Sequence, residues 1–207
     1  GSGSSIDGSI VNSGTIAGNN IAIDIRGGGN TIDTSIPGSP TIVLGSPVIQ
    51  GDITNDVGGA IIGRTGTGTG FGTGTAIYVS GSSIGGSITN SGTIAGGIDL
   101  NNGSTVTGGI TNNLGGTISR SGSNAAVMLS TSTVGSITNA GTIVSDYVGI
   151  GLAGGTTPSL GVLPSSVTGA ISNSGTIIGG SNGIYLSSST AGSISNSGTI
   201  GGRDGAV

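Results

Sequence analysis

The chain has 207 residues and a formal net charge of −4, with 48 Gly, one Phe, three Tyr and no Trp, so the large aromatic side chains that dominate most compact cores are nearly missing. Lys, Glu, His and Cys are absent, which excludes disulfides and removes most of the side chains that exchange protons or attack as nucleophiles in catalysis. Nucleic acid does not suit an acidic chain whose four Arg are spread at Arg26, Arg64, Arg120 and Arg203, because phosphate binding needs clustered cations that release counterions.

A core must therefore be built from small and β-branched residues. Ile, Val and Thr recur throughout and favour extended backbone, since branching at Cβ fits a pleated surface. Residues 1–4 read as a linker or tag remnant, and residues 5–207 as a single repetitive domain. The first repeat opens on Ile6-Asp-Gly, runs through Gly8-Ser-Ile-Val-Asn-Ser-Gly-Thr-Ile16 and reaches an apolar alternation at Ile23-Asp-Ile25. The second, introduced by Ile49-Gln-Gly, is Gly51-Asp-Ile-Thr-Asn-Asp-Val-Gly-Gly-Ala-Ile61, with two extra residues in its bend, followed by Ile77-Tyr-Val79. Gly86-Ser-Ile-Thr-Asn-Ser-Gly-Thr-Ile94 leads to Ile98-Asp-Leu100, and Gly108-Gly-Ile-Thr-Asn-Asn-Leu-Gly-Gly-Thr-Ile118, again two residues longer, to Val127-Met-Leu129. Gly135-Ser-Ile-Thr-Asn-Ala-Gly-Thr-Ile143 precedes Ile150-Gly-Leu152, and Gly169-Ala-Ile-Ser-Asn-Ser-Gly-Thr-Ile177 precedes Ile184-Tyr-Leu186. The seventh unit is Gly192-Ser-Ile-Ser-Asn-Ser-Gly-Thr-Ile200, and Val207 stands where its alternation would begin, as in a fragment of a longer protein.

Each repeat thus holds about three short extended segments separated by Gly-rich corners, which describes one coil of a solenoid. Successive repeat Asn residues are 43, 35, 22, 27, 34 and 23 positions apart, so the shortest coil has about 22 residues. Hexapeptide periodicity and the calcium-binding Gly-Gly-x-Gly-x-Asp pattern are both missing. The predicted fold is all-β: a right-handed parallel β-helix of about seven coils, the hand following the crossover preference of parallel strands. The extra residues fall between Ile25 and Ile49, Gly63 and Ala76, Ser119 and Ala126, and Leu152 and Val167, so insertions leave from corners while the strands keep register. No apolar run approaches the ~20 residues that span a bilayer, and no direct membrane insertion is expected of this segment.

Alternation turns Ile10 and its equivalents inward, and Asn12, two residues on, inward at the bend. Stacking would bring Asn12, Asn55, Asn90, Asn112, Asn139, Asn173 and Asn196 into a structural ladder of side-chain amides, helped by the tolerance of Asn for left-handed backbone. Thr15, Thr93, Thr117, Thr142, Thr176 and Thr199 form a parallel column suited to contacts between coils. The outward column of the third segment, Asp24, Tyr78, Asp99, Met128, Gly151 and Tyr185, is the candidate contact surface, since exposed Tyr and Met bind glycans or proteins by stacking. Asp24 and Asp99, with Arg26 beside the former, are expected to be solvated charges rather than a catalytic or metal group. The Gly/Thr run Thr65-Gly-Thr-Gly-Thr-Gly-Phe-Gly-Thr-Gly-Thr75 lacks the Lys and helix of a phosphate loop and reads as a corner insertion. No cofactor, metal or catalytic residue is expected.

The Gly-x-Ile-x-Asn-x-Gly-Thr-Ile units resemble those of passenger domains of bacterial autotransporters, the type V secretion family, across essentially residues 5–207. That resemblance implies a β-helix exported through the outer membrane and displayed at the bacterial cell surface as a stalk or adhesin segment, with host or neighbouring-cell glycans or proteins as partners. Two other readings stand beside it: a carbohydrate-active β-helix enzyme of lyase or hydrolase type, and an ice-binding solenoid. Uncapped terminal coils would also allow end-to-end self-association.

Overall fold

A computed structural model describes residues 5–27, 49–64, 74–157 and 161–203, so the linker 1–4, the Gly/Thr positions 65–73 and Val207 lie outside the described residues. Within them the chain is all-β, a parallel β-solenoid in which three sheets each stack the equivalent segments of successive coils. The first sheet stacks the Asn strands: Ile10–Asn12, Ile53–Asn55, Ser87–Asn90, Gly109–Asn112, Ile137–Asn139, Ser165–Asn173 and Ser189–Asn196. The second stacks Thr15–Gly18, Ala60–Gly63, Thr93–Ala95, Thr117–Arg120, Thr142–Ser145, Thr176–Gly179 and Thr199–Gly202. The third stacks Ile21–Arg26, Thr75–Ser80, Ile98–Asn101, Val127–Ser130, Val148–Ala153 and Asn182–Ser187.

The pieces upstream of each Asn strand do not make a separate sheet. Ser83–Ile84, Thr105–Val106 and Thr133–Val134 stack on one another and join the first sheet through the nine-residue strand Ser165–Asn173, while Ile6, Ile49 and Ile84 continue the column as single bridges. Among the described residues, one insertion carries a ladder of its own. Within the stretch between Leu152 and Val167, Gly155–Thr157 and Gly161–Leu163 pair as an antiparallel hairpin.

Parallel strands covered on their inner face demand apolar residues in step, and every coil supplies the same ones. Ile53, Ile88, Ile110, Ile137 and Ile171 form one inward column, Ile61, Ile94, Ile118, Ile143 and Ile177 a second, and Ile77, Ile98, Val127, Ile150 and Ile184 a third, all essentially inaccessible. At about 1.5–3 kcal/mol for each fully buried side chain, these columns are the main force holding the coils together. Their terminal member on the first sheet, Ile194, is 38% exposed because no described strand lies beyond it.

The turn from second to third sheet is tight enough to dictate glycine. A Cβ on Gly18 would sit 1.9 Å from the Ile21 carbonyl oxygen, and one on Gly179 would sit 1.9 Å from that of Asn182. Backbone oxygen cannot swing away as a side chain can. Gly179→Ala is therefore expected to cost about 1–3 kcal/mol through overpacking, read as a lowered thermal midpoint. The same register position holds Gly63, Gly179 and Gly202 in other coils but Arg120 and Ser145 in coils four and five, an exception that shapes the outer surface.

Candidate functional site

Among the described residues, polar side chains concentrate at the bend between first and second sheets, at the corner between second and third, and at the turn back to the first, where Ser82, Ser104, Ser132 and Ser165 are buried. At the bend the seven Asn residues form one continuous chain of hydrogen bonds. Each amide donates to the Oδ1 of the next coil's Asn: Asn12 to Asn55, Asn55 to Asn90, Asn90 to Asn112 and Asn112 to Asn139 at 2.8 Å, Asn139 to Asn173 at 2.7 Å, and Asn173 to Asn196 at 2.8 Å. The same Nδ2 reaches two carbonyls, as Asn139 does to Gly141 in its own bend at 3.2 Å and to Thr176 in the next coil at 3.0 Å. Asn55, Asn90, Asn112 and Asn139 are fully buried. Every acceptor of these amides belongs to the scaffold, so the Asn side chains themselves are spent on holding the coils.

The two longer bends keep this bonding and push their extra residues outward. Asn55 and Asn112 donate to Gly59 and Gly116, four positions on instead of two, while Val57 and Leu114 stand 83% and 86% exposed at the tips. The Thr column is in register from Thr93 through Thr117, Thr142 and Thr176 to Thr199, with Ala60 at its position in the second coil.

On the third sheet, Asp24, Tyr78, Asp99, Met128, Gly151 and Tyr185 are aligned in one register column. Their exposure is not uniform, and here the sequence expectation of a solvated column is corrected. Asp24 and Tyr185 are exposed, Met128 is half-buried, and Tyr78 and Asp99 retain only 8% and 6% of their accessible surface. Tyr78 is covered by the Arg26 guanidinium, 5.0 Å from the ring centroid, a cation–π arrangement. Arg26 is held there by Asp24, to which Nε donates at 2.8 Å with both side chains about half exposed; that hydrogen bond, followed by the carboxylate's charge, pushes the guanidinium's pKa up.

Asp99 is not a surface charge. Arg120 crosses the corner from the fourth coil, donating from Nη1 to Asp99 Oδ1 at 2.5 Å and from Nη2 to the Thr75 hydroxyl at 3.0 Å, while Thr75 donates to Asp99 Oδ2 at 3.0 Å. The pair is almost fully enclosed, with side-chain exposures of 3% and 8%. Coils two, three and four are thus tied by a closed triangle of charge-assisted bonds. The third coil makes room for it: Gly97, at φ +75°, lies directly under the arginine, where an added Cβ would be 3.2 Å from Arg120 Cδ.

Sequence reasoning assigned Arg120 no role and placed Asp99 in solvent, because pairing across 21 positions depends on how many residues each corner holds. A signal was present, since Arg120 occupies a register position that is otherwise mostly glycine. Among the described residues, no group of three carboxylates comes together as a metal site, and the exposed members of the column, Asp24 and Tyr185, lie at opposite ends of the third sheet.

Compared with protein-family models, with curated proteins and with solved structures, the chain has no match.

Proposed function

We propose that this chain is a non-catalytic, β-helical stalk or adhesin segment of a secreted autotransporter-like protein, displayed at the bacterial cell surface. The observation that carries this reading is the unbroken Asn chain through all seven coils, at 2.7–2.8 Å throughout. It marks a structure whose repeated residues are spent on holding coils at about 4.8 Å intervals, the requirement of a rod that sets distance from a surface. The charged groups of the outer column support a structural role as well, since Asp99 is consumed by Arg120 and Thr75. Glycans or proteins would be met by what projects from the scaffold: Tyr185 on the third sheet and the Val57 and Leu114 tips at the bend.

Surface display is tested by placing an epitope in the hairpin 155–163 of the native protein and treating intact cells with a protease. Cleavage without lysis is the expected result, and protection until lysis would overturn the assignment. A glycan array with the 207-residue chain then separates an adhesin from a spacer.

A further inference from the structure

Between Arg120 and Val127 the chain leaves the second sheet and passes over the outside of the third. Its first four residues, 121–124, are exposed, and Ala125 is 3% exposed against the sheet. A Cβ placed on Gly151 would lie 3.1 Å from both Ala125 Cβ and Met128 Sδ, so Ala125 and the Met128 side chain together roof Gly151. Ala126 is already part of the core and of the third-sheet ladder, and apart from the Ala125 methyl group residues 121–125 are held by polar ties. Ser145 Oγ donates to the Asn124 carbonyl at 2.7 Å, the Gly122 amide donates to Asp146 Oδ2 at 3.0 Å, and Arg120 Nη1 reaches the Ala125 carbonyl at 3.4 Å. Ser145 and Arg120 are the two side chains that replace glycine in the corner column, and both bond this segment. The corner departs from its repeat where the segment needs anchors.

We propose that residues 121–125 are a strap that opens while the coils stay folded, and that it controls access to the outer face of the third sheet at Met128 and Gly151. A segment with one buried methyl group, four exposed residues and three side-chain hydrogen bonds belongs to the low-stability end of a structure whose strands carry continuous ladders. Tyr78 and Asp99 are closed off by Arg26 and Arg120 instead, so strap opening bears on the fourth and fifth coils alone.

Met128 is the sole methionine and reports on the strap directly. Hydrogen peroxide transfers one oxygen atom to Sδ and leaves as water, and the sulfoxide is read by mass. In the Ser145→Gly/Asp146→Ala variant, which restores the column's own residue and removes two ties, Met128 is expected to oxidise roughly tenfold faster with amide exchange in the first sheet unchanged. Equal oxidation rates in variant and wild type would overturn the proposal. Wild-type hydrogen exchange covers a variant that destabilises the coils. Amides 122–125 should exchange at rates insensitive to low denaturant while those of Thr117–Arg120 and Val127–Ser130 respond to it. A shared denaturant dependence would mean that the strap opens only when the coils do, and the proposal would fail.

Discussion

Replacing Arg120 with Met is expected to destabilise the fold by about 3–5 kcal/mol, because removing one partner of an enclosed ion pair leaves the other charge buried without compensation. The Asp99 side chain is 8% exposed and keeps only the Thr75 hydroxyl when the guanidinium is gone. Thr75 likewise loses the bond it accepts from Nη2. In a domain of this length about 2–4 °C accompanies each kcal/mol, so a midpoint roughly 10 °C lower should be visible by circular dichroism. The double variant Arg120→Met/Asp99→Leu should recover most of the loss, since replacing both charges by apolar groups of similar volume removes the desolvation penalty with the attraction. Failure of the double variant to improve on the single would mean that packing of the arginine stem, rather than its charge, holds the corner. The exposed pair is a built-in contrast. Asp24 and Arg26 are 42% and 58% exposed, and Arg26→Met should cost less than about 1 kcal/mol.

Asn139→Ala is expected to cost about 1–3 kcal/mol, through acceptors left unpaired in a buried bend. Asn139 donates to Asn173 Oδ1, the Thr176 carbonyl and the Gly141 carbonyl, and accepts from Asn112. The penalty should depend on position. Asn196 is exposed and its amide donates to Gly198 alone, so Asn196→Ala should fall well below the central substitution when thermal midpoints are compared. Equal penalties at the two positions would show that the amides contribute through local bend geometry and not through contact between coils.

The contrast between these two sites shows what can be read from such a chain. The bend was legible because it is built within one repeat. Gly-x-Ile-x-Asn and Gly-Thr-Ile recur at fixed short spacing, and once Ile10 and Ile53 are assigned inward, Asn12 and Asn55 follow by alternation. The first and third sheets and their register were legible for the same reason, but the second sheet, Thr15–Gly18 and its equivalents, lies in what the sequence reads as a bend, and the upstream pieces expected as a segment of their own join the first sheet. The buried corner was not, because its members come from different coils at non-repeating positions: Thr75 after one insertion, Asp99 after a tight Gly96-Gly97 turn, Arg120 before another excursion. Alternation gave Asp99 and Tyr78 their correct face, yet burial on an outer face is set by what crosses over it. Arg26 covers Tyr78, Arg120 covers Asp99, and Ala125 covers Gly151. The hairpin Gly155–Thr157 with Gly161–Leu163 escaped notice because its strands fall inside a stretch whose Gly and Pro content reads as loop.

A buried, continuous Asn bond network slows side-chain amide exchange, which nuclear magnetic resonance follows residue by residue. Asn55, Asn90, Asn112 and Asn139, each fully buried and each donating to the next coil, should hold their Nδ2 protons as long as the strand amides beside them, with Asn196 exchanging fast. Side-chain protons that exchange at the rate of an exposed amide at all of these positions, while the strands stay protected, would contradict such a network.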